Sequence, residues 1–139
     1  MAPRYFLDTN IFLYTFDLHS PKRTKADQLV RRALANGEGI ISFQVVQEFF
    51  NVALRRFAQP LSVAEAEQYL GTVFRPLLAV HSSVSLYFEA LRIGTKHRLS
   101  WYDALIVAAA QEGEARVLFT EDLNHGQIIG QLRIENPFL

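Results

Sequence analysis

The stretch LSWYDALIVAAAQEGEARVLFTED, Leu99 to Asp122, decides the fold. Its first half reads as a helix from Trp101 to Gln111, with Gly113 closing it and Ser100 and Asp103 at the spacing of a capping box. Leu105, Ile106, Val107, Ala108, Ala109 and Ala110 leave this helix apolar on every side, which marks a buried element. Directly after Gly113, Arg116-Val117-Leu118-Phe119-Thr120 reads as a short apolar strand that runs into the acidic loop Glu121-Asp122-Leu123-Asn124. A wholly buried helix next to a wholly apolar strand belongs to a parallel sheet covered on both faces.

The rest of the chain repeats this alternation. Arg4 to Leu7 reads as a buried strand ending at Asp8, and Asn10 to Phe16 as helix. Ser20-Pro21 opens a helix to about Ala35, with Ser as N-cap and Pro at the first position. Gly39 to Ser42 forms a second strand, and Gln44 to Phe57 a helix whose apolar face carries Val45, Val46, Phe49, Phe50 and Ala53. Ser62 and Glu65 make a capping box for a helix to Phe74, and Pro76 to Val80 forms a third strand. Ser82 and Ser83 precede a helix reaching His97, and Leu132 to Pro137 adds an edge strand. The predicted fold is α/β: one domain over residues 1–139, with a central, mainly parallel sheet of four or five short strands flanked by helices.

Composition narrows the class. The chain has 139 residues, half of them apolar, which suits one well-filled core and argues against disorder. It has no cysteine, so disulfides, thiolate metal sites and cysteine nucleophiles are excluded, and a reducing, cytoplasmic setting is expected. The start, MAPRYFLDTNIFLYTF, reads as a first core strand rather than a signal peptide, and no run reaches the length of a membrane span. Formal net charge is zero, which argues against an indiscriminate polyanion binder.

Four acids stand apart. Ligands gather beyond the carboxyl ends of parallel strands, and Asp8 ends the first strand while Asp122 lies just past the fourth, so these two share a rim. Glu48 lies on the helix after the second strand and Asp103 in the first turn of the buried helix; the spacing alone supports the Asp8 and Asp122 pair better than the quartet. Each acid also has an ordinary reading. Asp8 and Asp122 suit turns or caps, Glu48 suits a solvated helix face with Gln44 and Arg55 as neighbours, and Asp103 suits the capping box with Ser100.

The ordered segments Phe6-Leu7-Asp8-Thr9-Asn10-Ile11-Phe12, Glu48, Leu99 to Ala110, Leu118 to Leu123 and Arg133 to Phe138 resemble the successive motifs of PIN-domain ribonucleases, most closely the VapC-type toxins of prokaryotic toxin-antitoxin pairs. The resemblance spans nearly the whole chain. It implies that Asp8, Glu48, Asp103 and Asp122 line a metal site, that Asn10 and Thr120 support it, and that Ser100 orients the helix start. His125 and Gly126 depart from the pattern and receive no catalytic duty. Glu121 is expected to face solvent, with a role as an acceptor at the edge of the site as the alternative.

Like charges in one cleft raise each other's pKa, so a convergent quartet calls for a hard cation: Mg²⁺, with Mn²⁺ as a substitute. The implied activity is endoribonuclease hydrolysis of RNA phosphodiester bonds, leaving a 5′-phosphate and a 3′-hydroxyl. Arg4, Lys22, Arg23, Lys25, Arg55, Arg56, Lys96 and Arg98 are candidate RNA backbone contacts, and Trp101 and Tyr102 either stack bases or pack in the core. The resemblance further implies a homodimer and a small antitoxin partner seated in a groove near the site, with helices 21–35 and 62–74 as possible surfaces. The alternatives are a non-toxin PIN-like nuclease, a DNA nuclease, a phosphate-ester hydrolase and an inactive protein-binding scaffold. Against an aspartyl-phosphate hydrolase, Asn10 stands where a second Asp belongs.

Overall fold

The structure, a computed structural model, describes residues 3–139. Among these residues six strands form one sheet: β1 (Arg4–Leu7), β2 (Gly39–Ser42), β3 (Leu78–Val80), β4 (Ala115–Phe119), β5 (Ile128–Ile129) and β6 (Leu132–Glu135), in the spatial order β3-β2-β1-β4-β6-β5. All neighbours run parallel except β5 and β6. Tyr5, Phe6 and Leu7 are buried on both sides of β1, as an inner parallel strand requires.

Among the described residues, seven α-helices accompany the sheet: α1 (Thr9–Tyr14), α2 (Arg23–Asn36), α3 (Phe43–Ala53), α4 (Val63–Tyr69), the short α5 (Arg75–Leu77), α6 (Val84–His97) and α7 (Trp101–Glu112). Two adjacent residues of β2 show why both faces are covered. A side chain at Gly39 would meet Ala33 of α2, whereas Ile40 reaches Gly113 at the end of α7. Successive strand residues point to opposite faces, so α2 and α7 lie on opposite sides. From Ala104 to Ala110 α7 is buried all round, with α6 packed against it. Phe12, Phe16, Phe49, Phe74 and Tyr69 close the core at its other end in a set of edge-to-face, tilted and stacked contacts.

Several boundaries move for local reasons. Ser20 does not cap a helix at Pro21; its hydroxyl accepts from Lys22 N at 3.1 Å in a preceding turn, and α2 starts at Arg23. The helix expected to Phe57 ends at Ala53, whose carbonyl accepts from Leu61 N instead of continuing the ladder. The Ser62–Glu65 capping box is present, but its helix passes into a π-helical turn, Leu70–Phe74, and Pro76 falls in α5, so β3 begins only at Leu78. Finally, the strand expected at the sheet edge lies inside it, because Ile128 and Ile129 pair antiparallel along its outer side.

Candidate functional site

Asp8 is set by the sheet. Its backbone N–H donates to the Phe119 carbonyl at 3.1 Å, continuing the β1–β4 ladder past the end of the strand. It is the N-cap of α1, with Oδ1 accepting from Thr9 N at 2.7 Å, while Oδ2 accepts from the Thr120 hydroxyl at 2.8 Å. Burial raises its pKa to about 6: desolvation outweighs the stabilising Thr120 and Thr9 hydrogen bonds, and the charges of Asp122 and Glu48 add to the rise. Asp8 therefore caps a helix and also borders an acidic cleft.

The other three acids approach from different elements. Glu48 on α3 is half-buried, and its Oε1 accepts from the Thr9 hydroxyl at 2.8 Å, so it faces the site rather than solvent. Asp103 stands in the first turn of α7, where its backbone N–H donates to Ser100 Oγ at 3.3 Å, leaving the carboxylate to its surroundings. Asp122 follows β4, its backbone N–H donating to Thr120 Oγ1 at 3.1 Å. The Asp122 pKa is also raised, first by burial and then by the charges of Glu121, Asp103 and Glu48.

Asp8, Glu48, Asp103 and Asp122 all line one cleft of about 230 Å³, together with Thr9, Asn10 and Gln44. All four acids, including the two that spacing alone left uncertain, therefore border the same cleft. The donors are carboxylate oxygens without thiolate or imidazole, a set whose chemistry suits Mg²⁺ or Mn²⁺. One further observation agrees: Gln44 is buried, its Nε2 donates to the Tyr102 carbonyl at 3.2 Å, and its Oε1 has no hydrogen-bond partner. Among the described residues, however, no three acidic or imidazole side chains are gathered closely enough to form a ready-made cation cage. The acids line the cleft without clasping its centre.

Sequence reasoning missed Gln44, although it lies one helical turn before Glu48 and so on the same face of α3. For Glu121 the structure favours the acceptor role over the expected solvent-facing one. That side chain retains only 13% exposure, and its carboxylate accepts from Tyr14 Oη, Lys22 Nζ and Asn10 Nδ2. Burial would lift its pKa, but Lys22 and Tyr14 prevail and hold it below the usual range. Lys22 is thereby committed to an internal ion pair rather than free for RNA backbone. Trp101 and Tyr102 are not core residues: they are 40% and 63% exposed, with Trp101 against Tyr87. His125 supports the main chain, its Nδ1 accepting from Asn136 N at 2.9 Å.

Strand order, an acid at the end of β1 and three further acids around one cleft can be compared with known proteins. Residues 5–129 match the PIN domain. The chain belongs to the PIN-domain family. Solved structures share the fold of this PIN domain along almost its whole length. A toxin-antitoxin complex from Klebsiella pneumoniae superposes with a TM-score of 0.69 at 19% identity, covering 96% of this chain and 97% of that one. VapC20 from Mycobacterium tuberculosis, described as a Sarcin-Ricin loop cleaving toxin, gives 0.64 at 22% identity over 85% and 91%. DNA-bound VapBC from Salmonella typhimurium gives 0.64 at 19% identity over 98% and 99%. No curated protein sequence matches the chain. The described PIN domain has no helix long and apolar enough to cross a membrane.

Proposed function

We propose that this PIN domain is a metal-dependent endoribonuclease, the toxin of a toxin-antitoxin pair, and that residues 1–139 work as one nuclease unit. The observation that carries this reading is the convergence of Asp8, Glu48, Asp103 and Asp122 on one cleft beyond the carboxyl ends of β1 and β4. Asp8, Glu48, Asp103 and Asp122 are the residues that would hold Mg²⁺ or Mn²⁺, which when bound would neutralise their charge and lower the pKa of an attacking water.

The chain's own residues do the rest. Asp8, locked by Thr9 N and Thr120 Oγ1, presents a carboxylate of fixed orientation, and its raised pKa is the cost of holding that charge in a buried place. Thr120 acts twice, donating to Asp8 and accepting from Asp122 N, so one hydroxyl spaces two of the acids. Ser100 fixes the start of α7 and with it Asp103. Asn10 Nδ2 donates toward both Asp122 and Glu121. Water attack on the phosphodiester leaves a 5′-phosphate and a 3′-hydroxyl. A flexible single-stranded or looped RNA suits the cleft, because its phosphate can bend inward while its bases splay outward. Exposed Trp101 and Tyr102 beside Asp103 offer faces for such bases.

Partners follow from the same reading. An apolar groove of about 900 Å³ lined by Leu13, Phe16, Leu18, Phe57 and Leu61 adjoins Asn10, and is the seat we assign to an antitoxin peptide. To a homodimer contact we assign the outer face of α6, where Val84, Phe88 and Leu91 are exposed. The deciding assay incubates purified protein with total RNA, with and without Mg²⁺ or Mn²⁺, and maps product ends beside the Asp8→Asn variant. Metal-dependent cuts with 5′-phosphate ends that vanish in Asp8→Asn are expected. Cleavage that persists in Asp8→Asn, or that needs no metal, would overturn the reading.

A further inference from the structure

A fifth acid next to Asp122 ought to burden an already crowded cleft, yet Glu121 is largely buried there. Its neighbours explain how it is tolerated. Tyr14 of α1 and Lys22 before α2 both donate to it, and the third donor, Asn10 Nδ2, lies 3.3 Å from Glu121 Oε1 and 3.5 Å from Asp122 Oδ2. The Asn10 amide therefore has its nitrogen end directed at two carboxylates. Lys22 and Tyr14 are themselves held by the segment after β6. The Phe138 ring packs edge-on to Tyr14 at 5.3 Å between centroids, and Lys22 Nζ lies 5.4 Å from the Phe138 centroid and 5.1 Å from that of Tyr14. That segment is pinned by Asn136, whose Oδ1 accepts from Phe138 N at 2.9 Å and whose own N–H donates to His125.

We propose that Phe138, Lys22, Tyr14 and Glu121 form a latch that sets the Asn10 amide against Asp122, so that the segment after β6 is part of the catalytic apparatus. The four are positioning residues, and the inference rests on the nuclease reading for its kinetic consequence. Lys22 cancels the charge of Glu121 locally, which lets Glu121 serve as a rigid acceptor without adding its full repulsion to Asp122. The two rings restrict where Lys22 and the Tyr14 hydroxyl can stand. A carboxylate gripped by three donors, two from α1 and one from the residue before α2, has little freedom to rotate, and this fixes Asn10 in turn.

The test uses Tyr14→Phe, which deletes one hydroxyl, together with Phe138→Ala, Phe138→Leu, Glu121→Ala and the double variant Tyr14→Phe/Glu121→Ala. Each is assayed for kcat and KM on a short RNA, for thermal unfolding, and for the NMR signals of the Asn10 side-chain amide. A misplaced catalytic group costs rate more than binding, so kcat is expected to fall about tenfold in Tyr14→Phe and Glu121→Ala with KM unchanged within about twofold. The double variant is expected to be no worse than Glu121→Ala, as for members of one network, and Phe138→Leu to recover part of the loss in Phe138→Ala. The Asn10 amide signals shift in every impaired variant. Wild-type kcat in Tyr14→Phe and Phe138→Ala, strictly multiplicative losses in the double variant, or unmoved Asn10 signals would overturn the latch. Should the wild type cleave no RNA, the nuclease reading fails, and the Asn10 signals still decide whether the latch exists.

Discussion

Asp8 carries the sharpest conflict between folding and chemistry. Folded, its pKa stands near 6 against an ordinary 3.8, with burial as the main cause. Between those two values the folded state binds more protons than the unfolded one, so stability falls as pH rises from about 4 to about 6 and then levels off. The loss at neutral pH is on the order of 3 kcal/mol. Asp8→Asn removes the titration, and its unfolding midpoint in the absence of divalent cation is expected to change less between pH 5 and pH 8 than the wild type's. Equal slopes in thermal melts would contradict this. Adding Mn²⁺ should raise the wild-type midpoint at pH 8 and leave Asp8→Asn unmoved, because a ligand stabilises only the state that binds it. Gln44 presents a second conflict. Its buried, unpartnered Oε1 costs about 1–3 kcal/mol, which roughly offsets or exceeds the bond to Tyr102 that the same amide makes. Gln44→Met keeps the volume and is expected to melt at or above the wild-type temperature while cleaving RNA more slowly. A large drop in midpoint with full activity would show the amide to be purely structural.

At the level of elements, α2 and α7 hold the sheet in place by close approach at glycines. A Cβ on Gly39 would lie 2.3 Å from Ala33 Cβ and 3.1 Å from Ala33 Cα, where a helix backbone has little room to yield. Gly39→Ala should therefore destabilise by about 1–3 kcal/mol, read as a lower urea midpoint at unchanged slope. An unchanged midpoint would mean that α2 slides freely on β2. The same elements show what pattern reading catches. The all-apolar run of α7 and the capping signals at Ser62, Ser83 and Ser100 were legible because they are local. The early end of α3, the π-helical turn at Leu70–Phe74 and the inner position of β6 were not, because each depends on a distant partner: Leu61 N on Ala53, the packed aromatic cluster, and the two-residue β5.

For the whole molecule, the outward face of α6 remains apolar. Val84, Phe88 and Leu91, spaced along one stripe, are 69%, 57% and 56% exposed, with Tyr87 and Trp101 beside them. Such a patch is costly in water, and it is the face assigned above to the proposed homodimer. Phe88→Glu/Leu91→Glu is expected to convert dimer to monomer in sedimentation velocity while preserving the circular dichroism spectrum; a wild-type monomer would remove this interface. The amino-acid order by itself determined the α/β alternation and the parallel sheet, because periodicity, caps and strand ends are read over a few residues, and those ends brought only Asp8 and Asp122 to one rim, the other two acids resting on the resemblance. Only the tertiary structure decided that Glu48 and Asp103 join Asp8 and Asp122, that Glu121 turns inward to Lys22 and Tyr14, and that Gln44 is left with a bare acceptor. Those outcomes depend on how α3 and α7 sit against the sheet. Helix placement is set by the packing of many side chains far apart in the chain, and no short stretch of it contains that information.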